Sequence, residues 1–226
     1  PHYSAAPKTN TGDGLRLAES VGASVCESLA SAGAWAPVSL IPRSNGSLGH
    51  FPHLVERGKP GLIAVLPTGR RFTNEGDSYP SFIKDLFAAT KSDELAHCWL
   101  ICDHEFIRRY GLGAVKPFPI SMQPWINNGY LNQDSSLDGL ANQCGIDASA
   151  FTQTVSDYNK HAIYGKDPEF NRGSTPYQIA QGDAIQQPNP CIAPIEKGPF
   201  YAVQIVPGSL GTFAGLITDQ DARVLR

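Results

Sequence analysis

Gly69-Arg70-Arg71-Phe72-Thr73-Asn74-Glu75-Gly76-Asp77-Ser78-Tyr79 follows the apolar run Leu62-Ile63-Ala64-Val65-Leu66. The run reads as a buried strand, and Pro67-Thr68-Gly69 supplies the turn after it. Two arginines, a glutamate and an aspartate then fall within eight residues, closed by a tyrosine and Pro80. Dense opposite charge beside a buried strand is either an ion-pair knot or the wall of a polar cleft. On charge alone the knot is the commoner case.

Working outward on the C-terminal side, Phe82, Ile83, Leu86 and Phe87 are spaced as on a helix over Ser81 to Thr90, with Pro80 in its first turn. His97 to Cys102 reads as a short buried strand, and Asp103 caps a helix His104 to Tyr110. Residues 111 to 133 form an irregular Gly/Pro/Asn-rich connection holding Trp125 and Tyr130, either a lid or a packed surface loop. Ser135 or Ser136 starts a helix that Gly145 ends, and Asp147 caps a longer one with Phe151, Val155 and Tyr158 on one face. Asp167 and Arg172, in the segment from Tyr158 to Gly173, are expected to hold a loop.

On the N-terminal side, residues 1 to 12 read as a loop. Asp13 is the expected N-cap of a helix through Val21, which Gly22 ends. Residues 31 to 60 show little periodicity, and Arg57 is expected to be a surface or ion-pair residue. Near the other end, Phe200 to Val206 is a β-rich strand broken at Pro207-Gly208. Ser209 to Gly215 then makes a glycine-rich turn whose backbone N–H groups suit an oxyanion-type site. The fold class expected from these elements is α+β: a small mixed or antiparallel sheet with helices packed against it.

The chain of 226 residues is 41% hydrophobic and 17% charged, which fits a globular protein. No apolar run approaches the ~20 residues of a membrane span. A net charge of −3 with scattered Lys and Arg argues against a nucleic-acid partner, leaving a small-molecule substrate. The five cysteines include no CxxC pair, and with Cys98 and Cys102 read as small hydrophobes a reduced, cytoplasmic setting is expected. The histidines are dispersed, so no metal site is expected. The chain starts on Pro1-His2-Tyr3 and stops at Arg226 after a strand-like segment, and both ends read as cut from something longer.

The strand followed by Gly69-Arg70-Arg71-Phe72-Thr73-Asn74-Glu75, with Tyr79 four residues on, resembles the flavoprotein family of succinate dehydrogenases, fumarate reductases and 3-ketosteroid dehydrogenases. Thr11-Gly12-Asp13-Gly14 and the helix after it resemble the family's TGDG segment, which packs on the flavin. Gly198 to Gly215 resembles the segment returning from the cap domain to the flavin domain. The resemblance implies FAD as cofactor and, at Tyr79, a general base that removes a proton beside a ketone while a hydride passes to the flavin. It implies Thr11, Gly12 and Asp13 as cofactor contacts. It also implies ketone binding by Tyr201 and by the backbone of Gly208, Gly211 and Thr212; a Tyr201 buried with one hydrogen bond in the sheet is the structural alternative.

Where the family's fumarate reductases carry histidines for a carboxylate, this sequence has Trp35-Ala36-Pro37 and Ser209-Leu210-Gly211-Thr212. Leu54 replaces an acid three residues before Arg57. The substrate implied is therefore a ketone, a steroid among the candidates, rather than a dicarboxylate. No strand here is followed by a GxGxxG turn for the dinucleotide. The division that results is 1–30 as a flank resembling the edge of the FAD-binding domain, 31–195 as a substrate-binding cap, and 196–226 as the return segment. FAD would then be held only in the full-length protein together with the missing FAD-binding domain. Two other readings remain: a fumarate-reductase- or succinate-dehydrogenase-like enzyme acting on an unsaturated acid, and a flavin-free binding module.

Overall fold

The computed structural model describes residues 3–26 and 28–226. Pro1 and His2, the start of the expected N-terminal loop, lie outside the described residues, as does Glu27.

The centre of the molecule is β7 (Phe200–Thr212), the longest strand at 13 residues. It pairs antiparallel with β2 (Gly33–Pro42), β5 (Cys98–Cys102) and β6 (Asn132–Asp134), and parallel with β1 (Tyr3–Ser4). β3 (Leu48–Pro52) pairs with β2, and β4 (Leu62–Val65) with β5. The main path through the sheet is therefore β3-β2-β7-β5-β4. Among the described residues the helices are α1 (Asp13–Ser20), α2 (Tyr79–Ala89), α3 (His104–Tyr110), α4 (Gln123–Asn127), α5 (Leu137–Cys144), α6 (Ala148–Ala162) and α7 (Pro176–Gln181). The α+β expectation holds, and among the described residues the sheet is mixed through the one parallel pair of β1 with β7.

The apolar run at Leu62 is continuous rather than alternating because β4 is buried on both faces. Leu62 and Ala64, with Leu100 of β5 and Val203 of β7, pack under Phe82, Ile83 and Leu86 of α2. Ile63 and Val65, with Ile101 and Ala202, pack under Phe151, Val155 and Tyr158 of α6. Burying a side chain of this size stabilises by about 1.5–3 kcal/mol, so two such layers fix the sheet between helices.

Three helix caps fall where the sequence puts them, and a fourth, Ser78, starts α2 two residues before the expected Ser81. Asp103 accepts from Phe106 N at 3.0 Å, Ser136 from Gly139 N at 3.0 Å and Asp147 from Ala150 N at 2.9 Å. Ser78 accepts from Ser81 N at 3.3 Å and Pro80 sits in the first turn of α2. Each satisfies an otherwise orphaned N–H of a first turn.

Several expectations are corrected. Tyr3 and Ser4, inside the expected N-terminal loop, pair with Gly208 and Ser209. The N-cap of α1 is Gly12, at φ 78, with Asp13 already helical, and the helix ends at Ser20. Residues 31 to 60 contain the hairpin β2–β3; its signal was Asn45-Gly46, a preferred tight-turn pair, with Gly46 at φ 76. The connection at 111 to 133 includes α4 and β6, and Tyr130 is buried against the core rather than free as a lid. Finally, Pro207-Gly208 does not break β7. Pro207 lies opposite Pro37 and Gly208 opposite Ala36, so the strand crosses the stretch read as its end. Ser209 to Thr212 is therefore ladder, not turn.

Candidate active site

The motif that opened the sequence reading builds a buried charge node. Arg71 donates from Nε and Nη2 to the two carboxylate oxygens of Glu75, at 2.9 and 2.8 Å. It donates from Nη1 and Nη2 to the two oxygens of Asp167, both at 2.8 Å. Its guanidinium lies over the rings of Tyr158 and Phe170, at 5.2 and 4.8 Å. Glu75 also accepts from Ala64 N at 2.9 Å, which ties the node to β4. Arg172 completes it, donating to Glu75 at 3.3 Å and to the carbonyls of Arg57 and Lys59 at 2.7 and 2.6 Å. Asp167 and Arg172 hold the loop, as expected. Burial by itself would raise the Asp167 carboxyl, but the hydrogen bonds and charge of Arg71 outweigh it and hold the group below its ordinary value.

Arg57 is a correction: it is fully buried, not a surface residue. It donates to the carbonyls of His53, Glu75 and Asp77 at 2.9, 2.8 and 3.3 Å, and stacks over Phe82 at 4.9 Å. Burial lowers its pKa to about 10, so it stays charged at neutral pH. Glu75 and Asp77 are thus held by their carbonyls on the approach to Ser78 and Tyr79.

Tyr79 stands at the end of this rigid run, as the first residue of α2. It is half-buried, and its hydroxyl has no hydrogen-bond partner among the described residues. Arg71, Asn74, Glu75 and Asp77 before it are held by buried hydrogen bonds, while the Tyr79 hydroxyl is uncommitted among the described residues.

The other expected site residues lie elsewhere. Tyr201 is 1% exposed, and its hydroxyl is 2.9 Å from His104 Nδ1. Gly208, seven residues along β7, is about 23 Å away at roughly 3.3 Å per residue, so Tyr201 and Gly208 do not share one small-molecule site. Gly208 is packed between β1 and β2: a Cβ there would stand 2.3 Å from Val38 Cγ2 and 2.5 Å from the Tyr3 carbonyl. Gly211 and Thr212 lie beyond it, less enclosed. Trp35, opposite Ser209 in the ladder, meets Phe87 edge-on with centroids 5.4 Å apart. Phe87 is eight residues on from Tyr79 in α2, about 12 Å along the axis at 1.5 Å per residue. The return strand thus meets the far end of α2.

Thr11, Gly12 and Asp13 come together at the start of α1, where Thr11 Oγ1 donates to Asp13 at 2.9 Å. No other residue approaches within 4 Å of a Cβ built on Gly12 or Gly14, so this helix start is open on its outer side. It fits one edge of a polar cofactor group. No residue of α1 is buried, and Leu17 and Val21 are 71% and 61% exposed.

One cluster had no sequence signal. Ala114 N donates to the Tyr130 hydroxyl at 3.0 Å, which is 2.7 Å from Ser39 Oγ. Ser39 Oγ is 2.7 Å from His53 Nε2, and His53 Nδ1 is 2.6 Å from Glu56. Ala114 N, the Tyr130 and Ser39 hydroxyls and His53 Nε2 thus form one continuous buried hydrogen-bond chain. Ser39 and His53 are fully buried, so the chain braces β2 against the segment after β3. Among the described residues, no group of three or more His, Cys, Asp or Glu is placed to hold a metal ion, and no helix is long and apolar enough to cross a membrane.

The chain belongs to the family described as the FAD binding domain, which matches it over residues 1–226. It is 40% identical over 214 residues to 4-oxocyclohex-2-ene-1-carboxylate 5-dehydrogenase of Sinomonas cyclohexanicum, covering 95% of this chain and 36% of that protein. It is 34% identical over 222 residues to 3-oxosteroid 1-dehydrogenase of Mycolicibacterium smegmatis, covering 96% and 38%. The crystal structure of 3-ketosteroid delta1-dehydrogenase from Sterolibacterium denitrificans in complex with 1,4-androstadiene-3,17-dione superposes with a TM-score of 0.84 at 36% identity, over 99% of this chain and 40% of that one. The chain thus spans somewhat over a third of each relative's length.

Proposed function

We propose that this chain is the substrate-binding part of an FAD-dependent dehydrogenase that desaturates a C–C bond next to the ketone of a cyclic substrate. The observation that carries the reading is Tyr79: a hydroxyl without a partner at the end of an immobilised motif, in a chain 34% identical to a 3-oxosteroid dehydrogenase. The two relatives named act on a 3-oxosteroid and on a 4-oxocyclohexene carboxylate. A ring ketone is common to both and is the substrate class proposed here.

In this reading Tyr79, deprotonated, takes the proton from the carbon beside the ketone. FAD, when bound, supplies the acceptor for the hydride that leaves the neighbouring carbon. Tyrosine has an ordinary pKa of about 10 and is a weak base at neutral pH, so a second group must assist Tyr79. The start of α1 at Thr11, Gly12 and Asp13 meets the cofactor. Tyr201 and Gly208 serve the sheet, since one is bonded to His104 and the other is wedged between strands. The donors that polarise the ketone come from Gly211 and Thr212 or from the part of the protein beyond these residues.

We divide the chain into a flank (1–30) facing an FAD-binding domain, a cap (31–195) and a segment returning toward that domain (196–226). The exposed apolar side chains Leu17, Val21 and Phe213 support that interface. All five cysteines are free, in keeping with a reducing, cytoplasmic setting.

The test is to assay the full-length protein with an artificial electron acceptor on a 3-oxosteroid, on 4-oxocyclohexene carboxylate and on succinate. Turnover of a ring ketone is expected, and turnover of succinate alone would overturn the reading. The purified 226-residue chain is expected to carry no flavin absorbance; a bound yellow chromophore would remove the need for the second domain.

A further inference from the structure

The loop after α3 turns its largest apolar side chains to solvent. Leu112 and Val115 anchor its base, each 1% exposed, while Phe118 and Ile120 at its tip are 69% and 52% exposed. The tip is held in shape. Phe118 N donates to the Arg108 carbonyl at 2.8 Å, and Arg108 Nη1 donates to the Ile120 carbonyl at 3.2 Å. Pro117 and Pro119 restrict the backbone between these bonds. The Arg108 guanidinium lies 4.6 Å from the centre of the Phe118 ring. Two large apolar groups fixed outward on a braced loop suit contact with a water-poor partner.

The charge around the tip has one sign. Residues 106 to 133 contain Arg108, Arg109 and Lys116 and no Asp or Glu. Glu105, just outside, is paired with Lys197. Arg109 is paired with Asp183 at 2.7 Å, whereas Arg108 and Lys116 have no carboxylate partner among the described residues. Two such cationic tips repel, so the face does not suit a second copy of this chain. Two side chains on one loop also fall far short of the ~800 Å² that a stable protein interface takes from each partner. A surface that is anionic outside and apolar just beneath meets both features, and a bilayer of anionic lipids is such a surface.

The loop stands apart from the side chains proposed to face the FAD-binding domain. α3 meets β7 near its start, where His104 Nδ1 lies 2.9 Å from the Tyr201 hydroxyl. Phe213 follows Thr212 at the other end of β7, about 36 Å along the strand from Tyr201 at roughly 3.3 Å per residue.

We propose that the loop 116–120 docks this protein on the surface of an anionic lipid bilayer. Phe118 and Ile120 enter the boundary between headgroups and acyl chains, and Arg108 and Lys116 meet the lipid phosphates. The docking is peripheral, with no segment crossing the bilayer, and it does not depend on the proposed dehydrogenation.

The test is sedimentation of the flavin-loaded full-length protein with vesicles of phosphatidylcholine, alone and mixed with an equal part of phosphatidylglycerol. The protein should pellet with the mixed vesicles and far less with phosphatidylcholine alone, and added salt should release it. F118S/I120S should weaken binding at least 10-fold and Lys116→Ala several-fold, with flavin absorbance, melting temperature and turnover of a water-soluble ring ketone unchanged. Lys84→Ala, on exposed α2 surface, should leave binding unaltered. Vesicle binding without any ketone turnover would leave this proposal standing and remove only the proposed dehydrogenation. No binding to mixed vesicles, equal binding to neutral ones, or equal binding of F118S/I120S and the parent would overturn it. So would a lipid-free oligomer that F118S/I120S dissolves, which would assign the loop to a protein contact.

Discussion

Arg71 and Asp167, 96 residues apart in the sequence, face each other as two planar groups joined by two hydrogen bonds of 2.8 Å. Both side chains are almost wholly buried, at 1% and 2% exposure. Removing one member of such a pair leaves the other charged and unsolvated, which costs about 3–5 kcal/mol. Asp167→Ala is therefore expected to lower the urea midpoint sharply. Asp167→Asn, which keeps one acceptor, should lose less. Equal stability of Asp167→Ala and the parent would show that Glu75 alone satisfies Arg71.

The same pair sets an acid limit. Asp167 has its folded pKa held below the ordinary 3.8. A depressed carboxyl contributes stability that is fully present above its unfolded pKa and is lost as pH falls through the folded one. Urea midpoints measured from pH 5 down to 2 should fall less steeply for Asp167→Asn than for the parent. Parallel curves would assign the acid limb to other carboxylates.

Gly69 turns the chain from β4 into the motif at φ 73. A Cβ there would stand 2.5 Å from Phe151 N and 2.7 Å from the Asp147 carbonyl, both backbone atoms at the start of α6. Neither can swing aside as a side chain would. Gly69→Ala combines a strained backbone with an overpacked contact and should cost more than about 2 kcal/mol. Gly211→Ala is the control, since an added Cβ meets nothing within 4 Å and φ is not in the left-handed region. A thermal melt of both variants distinguishes them.

How much of this was legible follows from the range over which each feature is encoded. The helix starts at Asp103, Ser136 and Asp147 are local, one polar side chain reaching an N–H three residues on, and the sequence showed them. Continuous apolar strands buried on both faces, such as Leu62–Val65, were also plain. Arg57 was misjudged because its burial depends on carbonyls of residues as far as Asp77, which no spacing reveals. Pro207-Gly208 was misjudged because a breaker signal is only a local preference, and here two neighbouring strands pair across it. The Ser39–His53–Glu56 cluster forms only once β2 and β3 pair. At the candidate site, the position of Tyr79 was legible and its uncommitted hydroxyl was not.

Ser39 couples two side chains at once, lying 2.7 Å from both Tyr130 and His53. Ser39→Ala removes a partner from the Tyr130 hydroxyl and from His53 Nε2 in a buried place, each loss worth roughly 1–3 kcal/mol. Tyr130→Phe loses the same Ser39 contact and also strands the buried Ala114 N–H, so the double variant should lose less than the sum of the two single losses. A double-mutant cycle by urea denaturation reads this coupling. Strict additivity would show that Ser39 and Tyr130 are not coupled.

Tyr79 carries the sharpest consequence of the proposed function. Tyr79→Phe keeps the ring, the start of α2 and the Ser78 cap, and removes only an oxygen that no described residue uses. Stability should therefore change by no more than about 0.5 kcal/mol, the range of surface substitutions away from special features. A positioned general base contributes roughly 10²- to 10⁴-fold to rate. In the full-length protein with a ring-ketone substrate, kcat should fall by at least about 10²-fold while KM stays within a few-fold, because the aromatic contact survives. A loss of kcat with a lowered melting temperature would point to structure instead. Unchanged kcat would take Tyr79 out of the chemistry and leave the motif as a buried charge node alone.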